Sequence, residues 1–168
     1  GRVRLDLESH GYVGQLPNEY YDAVVAVDCA YHFENRELFF EAVLSKLKPG
    51  GRLVLTDFSV EKVPTKGLKQ KLWKRMLTLC SIPPNNMESK SKYQKRLYET
   101  GFERVDLIAI EEHVFSGFIS FVARNYFSKL FWGHWGRFSK FLLTAQFLRW
   151  AKSRGDIGYM VVVAQKGN

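Results

Sequence analysis

The chain has 168 residues, 46% of them hydrophobic, and a net charge of +8. That is enough for one domain with a real core, and no run of 18 or more uncharged apolar residues suggests a membrane span. Two cysteines, Cys29 and Cys80, exclude a disulfide framework or a zinc cluster and fit a reducing, cytoplasmic setting. The charge is unevenly placed: residues 59–96 carry ten Lys and Arg against two acids, and residues 118–154 carry seven against none.

"RVRLDLE" alternates with period two and reads as a short strand, which makes the start of the chain neither a signal peptide nor a flexible tail. "SHGYVGQLPNEY" is a loop, rich in turn formers. "YDAVVAVDC" is almost continuously apolar and β-branched, the pattern of an interior parallel strand covered on both faces. Asn35 is placed to cap a helix whose Leu38, Phe39, Ala42, Val43 and Leu47 share one face. "KPGG" ends that helix in a tight turn, and "RLVLTDF" is the next strand, reached by a right-handed crossover.

Residues 59–96 break this rhythm. "TKGLKQKLWKRMLTLC" and "MESKSKYQKRLYETGF" read as two basic amphipathic helices, the second closed by Gly101. Together they form a candidate helical cap. "ERVDLIAIEEHV" reads as a strand with a bend. Residues 116–154 hold three of the four tryptophans and no acid, and predict one or two helices broken near Gly133 and Gly136. "IGYMVVVAQK" is the closing strand. The fold class expected is α/β, a Rossmann-like, mainly parallel sheet in a single partial domain, with a basic cap at 59–96 and an aromatic basic insertion at 116–154.

Ligands of open α/β sheets bind beyond the carboxyl ends of the strands. Asp28, Cys29, Tyr31, His32 and Phe33 fall at one such end and Asp57 at the next. His32 suits proton transfer near neutrality or orientation of an acceptor, and packing against its loop is the plain structural alternative. Tyr31 either covers a ligand or fills the core. Asp28 is a carboxylate at a strand tip, costly there unless solvated or bound. Cys29 reads as a small core hydrophobe. The four histidines match no zinc spacing, no phosphate-binding glycine loop is present, and no metal is expected.

"QLPNEYYDAVVAVDCAYHF", "FFEAVLSKLKPGGRLVLTDF" and "YETGFERVDL" together resemble the class I S-adenosylmethionine-dependent methyltransferases, in the small-molecule and lipid-type group of sterol, quinone and tocopherol methyltransferases. The resemblance covers about residues 1–115 and returns at 155–165. It implies that the strand ending at Val27 is the fourth of the family's sheet and that 52–57 is the fifth. It implies S-adenosylmethionine as cofactor, with Asp28 and Cys29 lining its methionine side, Tyr31 and His32 facing the methyl-transfer region, and Asp22 structural. The segment after Phe58 and part of the 116–154 insertion would cap a substrate. The family's glycine-rich loop and ribose-binding acid precede the third strand, so the chain reads as the C-terminal part of a larger domain. Tyr12 stands where the family places an adenine-binding Asp, and Val13 could offer its backbone N–H to the adenine.

The function expected is methyl transfer to a small or lipid-like acceptor by the intact protein. The alternative is a non-catalytic scaffold, or a module that binds a membrane or a partner subunit. The basic and aromatic blocks predict contact with an anionic membrane surface through Trp73, Phe131, Trp132 and Trp135, with Phe33 and Asp57 on the substrate side. Nucleic acid is the less favoured partner for those blocks.

Overall fold

The computed structural model describes residues 16–64, 66–125 and 135–168, with side chains from 139 onward in the last segment. The "RVRLDLE" strand, Tyr12, Val13, Phe131 and Trp132, and the side chain of Trp135, therefore lie outside the described residues.

Four strands form one sheet in the order β1 (Tyr21–Ala26), β2 (Leu47–Val60), β4 (Ile157–Lys166), β3 (Phe102–Ala109). β1 pairs parallel to β2, and β4 lies antiparallel to both β2 and β3. Three strands therefore run one way, with the closing strand reversed between them. The expectation of a mainly parallel sheet holds for direction, although only one of the three neighbouring pairs is parallel.

The register of β1 on β2 jumps from Tyr21 opposite Leu47 to Ala23 opposite Arg52. The intervening "KPGG" bulges out of the ladder. Gly50 has φ of +71°, and a Cβ on Gly51 would sit 2.9 Å from the Lys48 carbonyl oxygen and 3.2 Å from that of Tyr21. Both glycines are there because the backbone turns and closes on itself.

The helix α1 (Arg36–Lys46) starts where expected, with Asn35 Oδ1 accepting the Leu38 N–H at 3.1 Å. Helix α2 spans Gly67–Leu79 and α3 spans Lys90–Thr100, stopped by Gly101 in the left-handed region. "IEEHV" is not strand. β3 ends at Ala109 and α4 begins at Glu111, where two acids in the first turn meet the positive end of the helix dipole. Of the basic aromatic segment, residues 116–125 belong to α4 (Glu111–Asn125) and residues 135–153 to α5 (Trp135–Ser153), which has Gly136 as its second residue, while Gly133 lies outside the described residues.

Alternation along β2 splits the interior into two parts. Leu53 and Leu55, with Met160, Val162 and Ala164 of β4, pack under Phe40, Val43, Tyr93 and Leu97 of α1 and α3. Val60, Ile157 and Tyr159, at the carboxyl end of β2, pack with Trp73, Leu77, Phe115 and Leu148 of α2, α4 and α5. β1 is an edge of the described sheet: Val25 is 65% and Val27 61% exposed. The continuous apolar run predicted an interior strand, and among the described residues nothing covers its outer side.

Candidate active site at the tips of β1 and β2

β1 ends in a turn that departs from ordinary strand geometry. Asp28 has φ of +55°, in the left-handed region that Asp tolerates better than most residues, and Ala30–His32 then form a 3-10 turn. The Asp28 N–H donates to Thr56 Oγ1 on β2 at 2.9 Å. The Tyr159 hydroxyl, on β4, contacts the same Thr56 Oγ1 at 3.0 Å and donates to the Asp28 carboxylate. Three adjacent strands thus hold one carboxylate. Burial first, and then the Asp28 contact, push the Tyr159 hydroxyl far above its ordinary range, so it stays a donor. One donor leaves most of a carboxylate's lone pairs open, and Asp28 is exposed.

Tyr31 packs against Phe58 (centroids 4.9 Å apart) and against the His32 ring (4.3 Å). Its phenol is pushed up to about 12, by burial first and then by Asp28. It is a neutral ring at physiological pH. Cys29 is half-buried, and burial with the nearby Asp57 and Asp28 carboxylates pushes its thiol up. Such a thiol is a poor nucleophile, in keeping with the reading of Cys29 as packing.

His32 carries the most chemical information. Its Nδ1 lies 2.9 Å from the backbone oxygen of Ser81, just past the end of α2. A carbonyl only accepts, so Nδ1 must carry the proton, and the neutral ring then presents its lone pair at Nε2. Ser81 itself has φ of +53°, which aims that carbonyl.

The turn bearing Tyr31 and His32 is clamped from beneath. The buried Asn86 side chain donates to the Tyr31 oxygen at 3.0 Å and the Phe33 oxygen at 2.6 Å. Arg36 donates to the Asn86 backbone oxygen and sits 3.2 Å from Asp57. Asp57 also accepts from the Tyr93 hydroxyl at 2.9 Å and the Phe58 N–H at 2.8 Å. Its carboxyl is pushed up to about 6, by burial working against Arg36, Tyr93 and the Phe58 N–H.

The expected site residues therefore divide. Asp28, Cys29, Tyr31 and His32 gather at one strand tip. Asp57 does not share their cleft: it is fully buried on the face under α1 and α3, and holds the turn from below through Arg36. Phe33 faces the core, its ring 4.6 Å from Phe39. Trp73 is 1% exposed and lies edge-on to Phe147 at 5.3 Å, so it cannot touch a membrane. Its helical periodicity matched an amphipathic face, but α5 covers that face. Sequence reading missed Tyr159, Thr56, Asn86 and Arg36. Tyr159 sits in a strand 131 positions from Asp28, and Asn86 in a "PPNN" stretch that reads only as a turn. An open polar cleft of about 470 Å³ lies beyond Arg36, lined by Glu37, Asn85, Lys92 and Arg96, and does not include this strand tip. Among the described residues no group of His, Cys, Asp and Glu could hold a metal ion.

Residues 3–55 match a methyltransferase domain family. The chain is 28% identical over 111 residues to the erythromycin 3''-O-methyltransferase of Saccharopolyspora erythraea, covering 64% of this chain and 36% of that protein. Among solved structures it superposes on phosphoethanolamine N-methyltransferase 2 of Haemonchus contortus, in complex with phosphomonomethylethanolamine and S-adenosylhomocysteine. The TM-score is 0.71 at 15% identity, over 91% of this chain and 35% of that one. A cyclopropane synthase of Mycobacterium tuberculosis gives a TM-score of 0.68 at 16% identity, over 89% and 56%. The chain has the fold of these methyltransferases, and its residues 3–55 are similar to their domain family. It spans about a third of the length of the first two of these relatives. In the methyltransferase fold the turn after β1 is the tip that the resemblance assigned to Asp28–His32, and α1 and α3 pack behind it.

Proposed function

We propose that the protein transfers a methyl group from S-adenosylmethionine to a small or lipid-like acceptor bearing an exchangeable proton, a hydroxyl or an amine. The observation that carries this reading is the orientation of His32. With Nδ1 committed to the Ser81 carbonyl, Nε2 is left as a proton acceptor beside the strand tip. S-adenosylmethionine, when bound, supplies an electrophilic methyl on a cationic sulfur. The residues present fit such a group: Asp28 offers an exposed carboxylate with free lone pairs, and Tyr31 offers a neutral π face. Asp28 and Cys29 would hold its methionine end, and Tyr31 would lie beside the reacting centre.

With the methyl donor bound, His32 Nε2 would take the proton that the acceptor's oxygen or nitrogen loses as it is methylated. Tyr31 and Phe58 keep water from the reacting atoms, and the Asn86 clamp fixes the angle of approach. The clamp residues act through the turn and are positioning residues.

A second reading, a non-catalytic methyltransferase-like module, is favoured by the exposure of Val25 and Val27, which a partner could cover. Calorimetric titration of the protein with S-adenosylmethionine and S-adenosylhomocysteine separates the two. Micromolar binding that weakens in Asp28→Ala supports the enzyme, and no heat with either ligand leaves the module.

A further inference from the structure

The methyl-transfer reading leaves the outer face of α2 without a use. Trp73, Met76 and Leu77 turn inward. On the opposite side, at spacings of four, three and four, stand Leu68, Leu72, Arg75 and Leu79. Leu68 is 83% exposed and Leu72 46%. Lys71 and Lys74 flank this stripe on one side and Lys69 on the other, all exposed. Lys62, an exposed Val63 and Lys66 lead into it.

Five lysines thus surround a largely apolar stripe, and Arg75 within it makes six cations. No Asp or Glu occurs between Lys62 and Met87. None of the six makes an ion pair among the described residues, whereas Lys92's neighbours Lys95 and Arg96 on α3 both do. Exposed leucines ringed by unpaired cations are complementary to a lipid interface. There the leucines enter the boundary of the acyl chains while the lysines reach anionic headgroups. A polyanion without an apolar layer would satisfy the cations and leave Leu68 and Leu72 in water.

We propose that the outer face of α2 docks the protein onto an anionic lipid surface, through Leu68 and Leu72 with Lys69, Lys71, Lys74 and Arg75. The tryptophan expected at such a contact, Trp73, points the other way and anchors the helix to the body of the domain. The far end of α2 leads into Ser81, whose carbonyl holds His32, so the same helix that carries the docking face also positions the candidate proton acceptor.

The test is flotation of the protein with vesicles of phosphatidylcholine alone and of phosphatidylcholine mixed with phosphatidylserine. Binding is expected to the mixed vesicles only, and to weaken as salt is raised. Lys71→Glu/Lys74→Glu/Arg75→Glu should lower the partition coefficient by about a hundredfold, on the order of 1 kcal/mol per cation lost. Leu68→Ser/Leu72→Ser should lower it by about tenfold through lost apolar burial. Both sets of side chains are exposed, and unchanged circular dichroism checks the fold. The proposal is overturned if the protein fails to float with the mixed vesicles, if neither variant weakens flotation, or if single-stranded nucleic acid binds more tightly than the vesicles do. The S-adenosylmethionine titration contains no lipid, so failure here leaves the methyl-transfer reading standing, and failure there leaves this one.

Discussion

The two packed regions on the sheet are built from different materials. Under α1 and α3 the contacts are mainly aliphatic, with Leu53, Leu55, Leu97, Val43 and Val162 all fully buried. At the carboxyl end of β2 they are largely aromatic: Phe58, Phe115, Tyr159, Trp73 and Phe147 meet edge-on or tilted more often than stacked. The aliphatic side encloses a buried ionic knot, Arg36–Asp57–Tyr93, in which only Arg36 Nε finds no hydrogen-bond partner among the described residues. The aromatic side leaves polar groups facing outward, with Asp28 exposed and His32 half-buried. One region secures the turn and the other uses it. The buried Asp57 and the exposed Asp28 differ for that reason: Asp57 lies within β2, which runs on to Val60, whereas Asp28 stands just past the end of β1.

Substitutions can break this contrast at four points. The largest effect is expected for Arg36→Met. It strands Asp57 in the interior and releases Asn86, and should lower stability by about 3–5 kcal/mol in urea unfolding. Adding Asp57→Leu should restore much of that loss, because the uncompensated charge is then gone. A second substitution, His32→Ala, should leave the unfolding midpoint almost unchanged while lowering turnover by about 10²–10⁴-fold at saturating acceptor. Cofactor affinity should change far less, and equal turnover would remove His32 from the reaction. Tyr159→Phe removes the donor to a carboxylate, worth about 1.5–3 kcal/mol. The expected signature is weaker S-adenosylmethionine binding through a loosened Asp28, read by calorimetry, together with a lower melting temperature. The smallest effect is on the outer side of α2, where Leu68→Ser should shift stability by less than about 0.5 kcal/mol.

pH sharpens the same contrast. The Asp57 carboxyl is pushed up to about 6 in the folded protein, above its value in the unfolded chain. Between roughly pH 4 and 6 the folded state therefore holds more of this proton, and the group's contribution to stability falls as pH rises through that window. Urea unfolding across the window in wild type and in Asp57→Asn should differ in slope in that sense. The absence of any difference would place the Asp57 titration elsewhere.

Much of the fold was legible because its signals are local. The helix over 36–46 announced itself through Asn35, the closing strand through "IGYMVVVAQK", and the end of α3 through Gly101. "EEHV" misled because its apolar alternation runs on from β3, while the two acids that favour a helix start carry a weaker signal. Half of the site was legible as well, since Asp28 to His32 are consecutive and end an apolar run. The rest was not, because its partners come from distant positions. Nothing near Asp57 in the chain says that it faces Arg36 rather than a ligand. Nothing near Trp73 says that Phe147 will cover it.

The reversed strand β4 lies between β2 and β3, which do not otherwise pair. It leaves the ribosome after both of them, so these four strands stay in two pieces until β4 threads into the gap. Tyr159 arrives on that same segment. A chain caught before insertion would have neither a continuous sheet nor a tethered Asp28, so the strand tip takes its final shape only once β4 is seated.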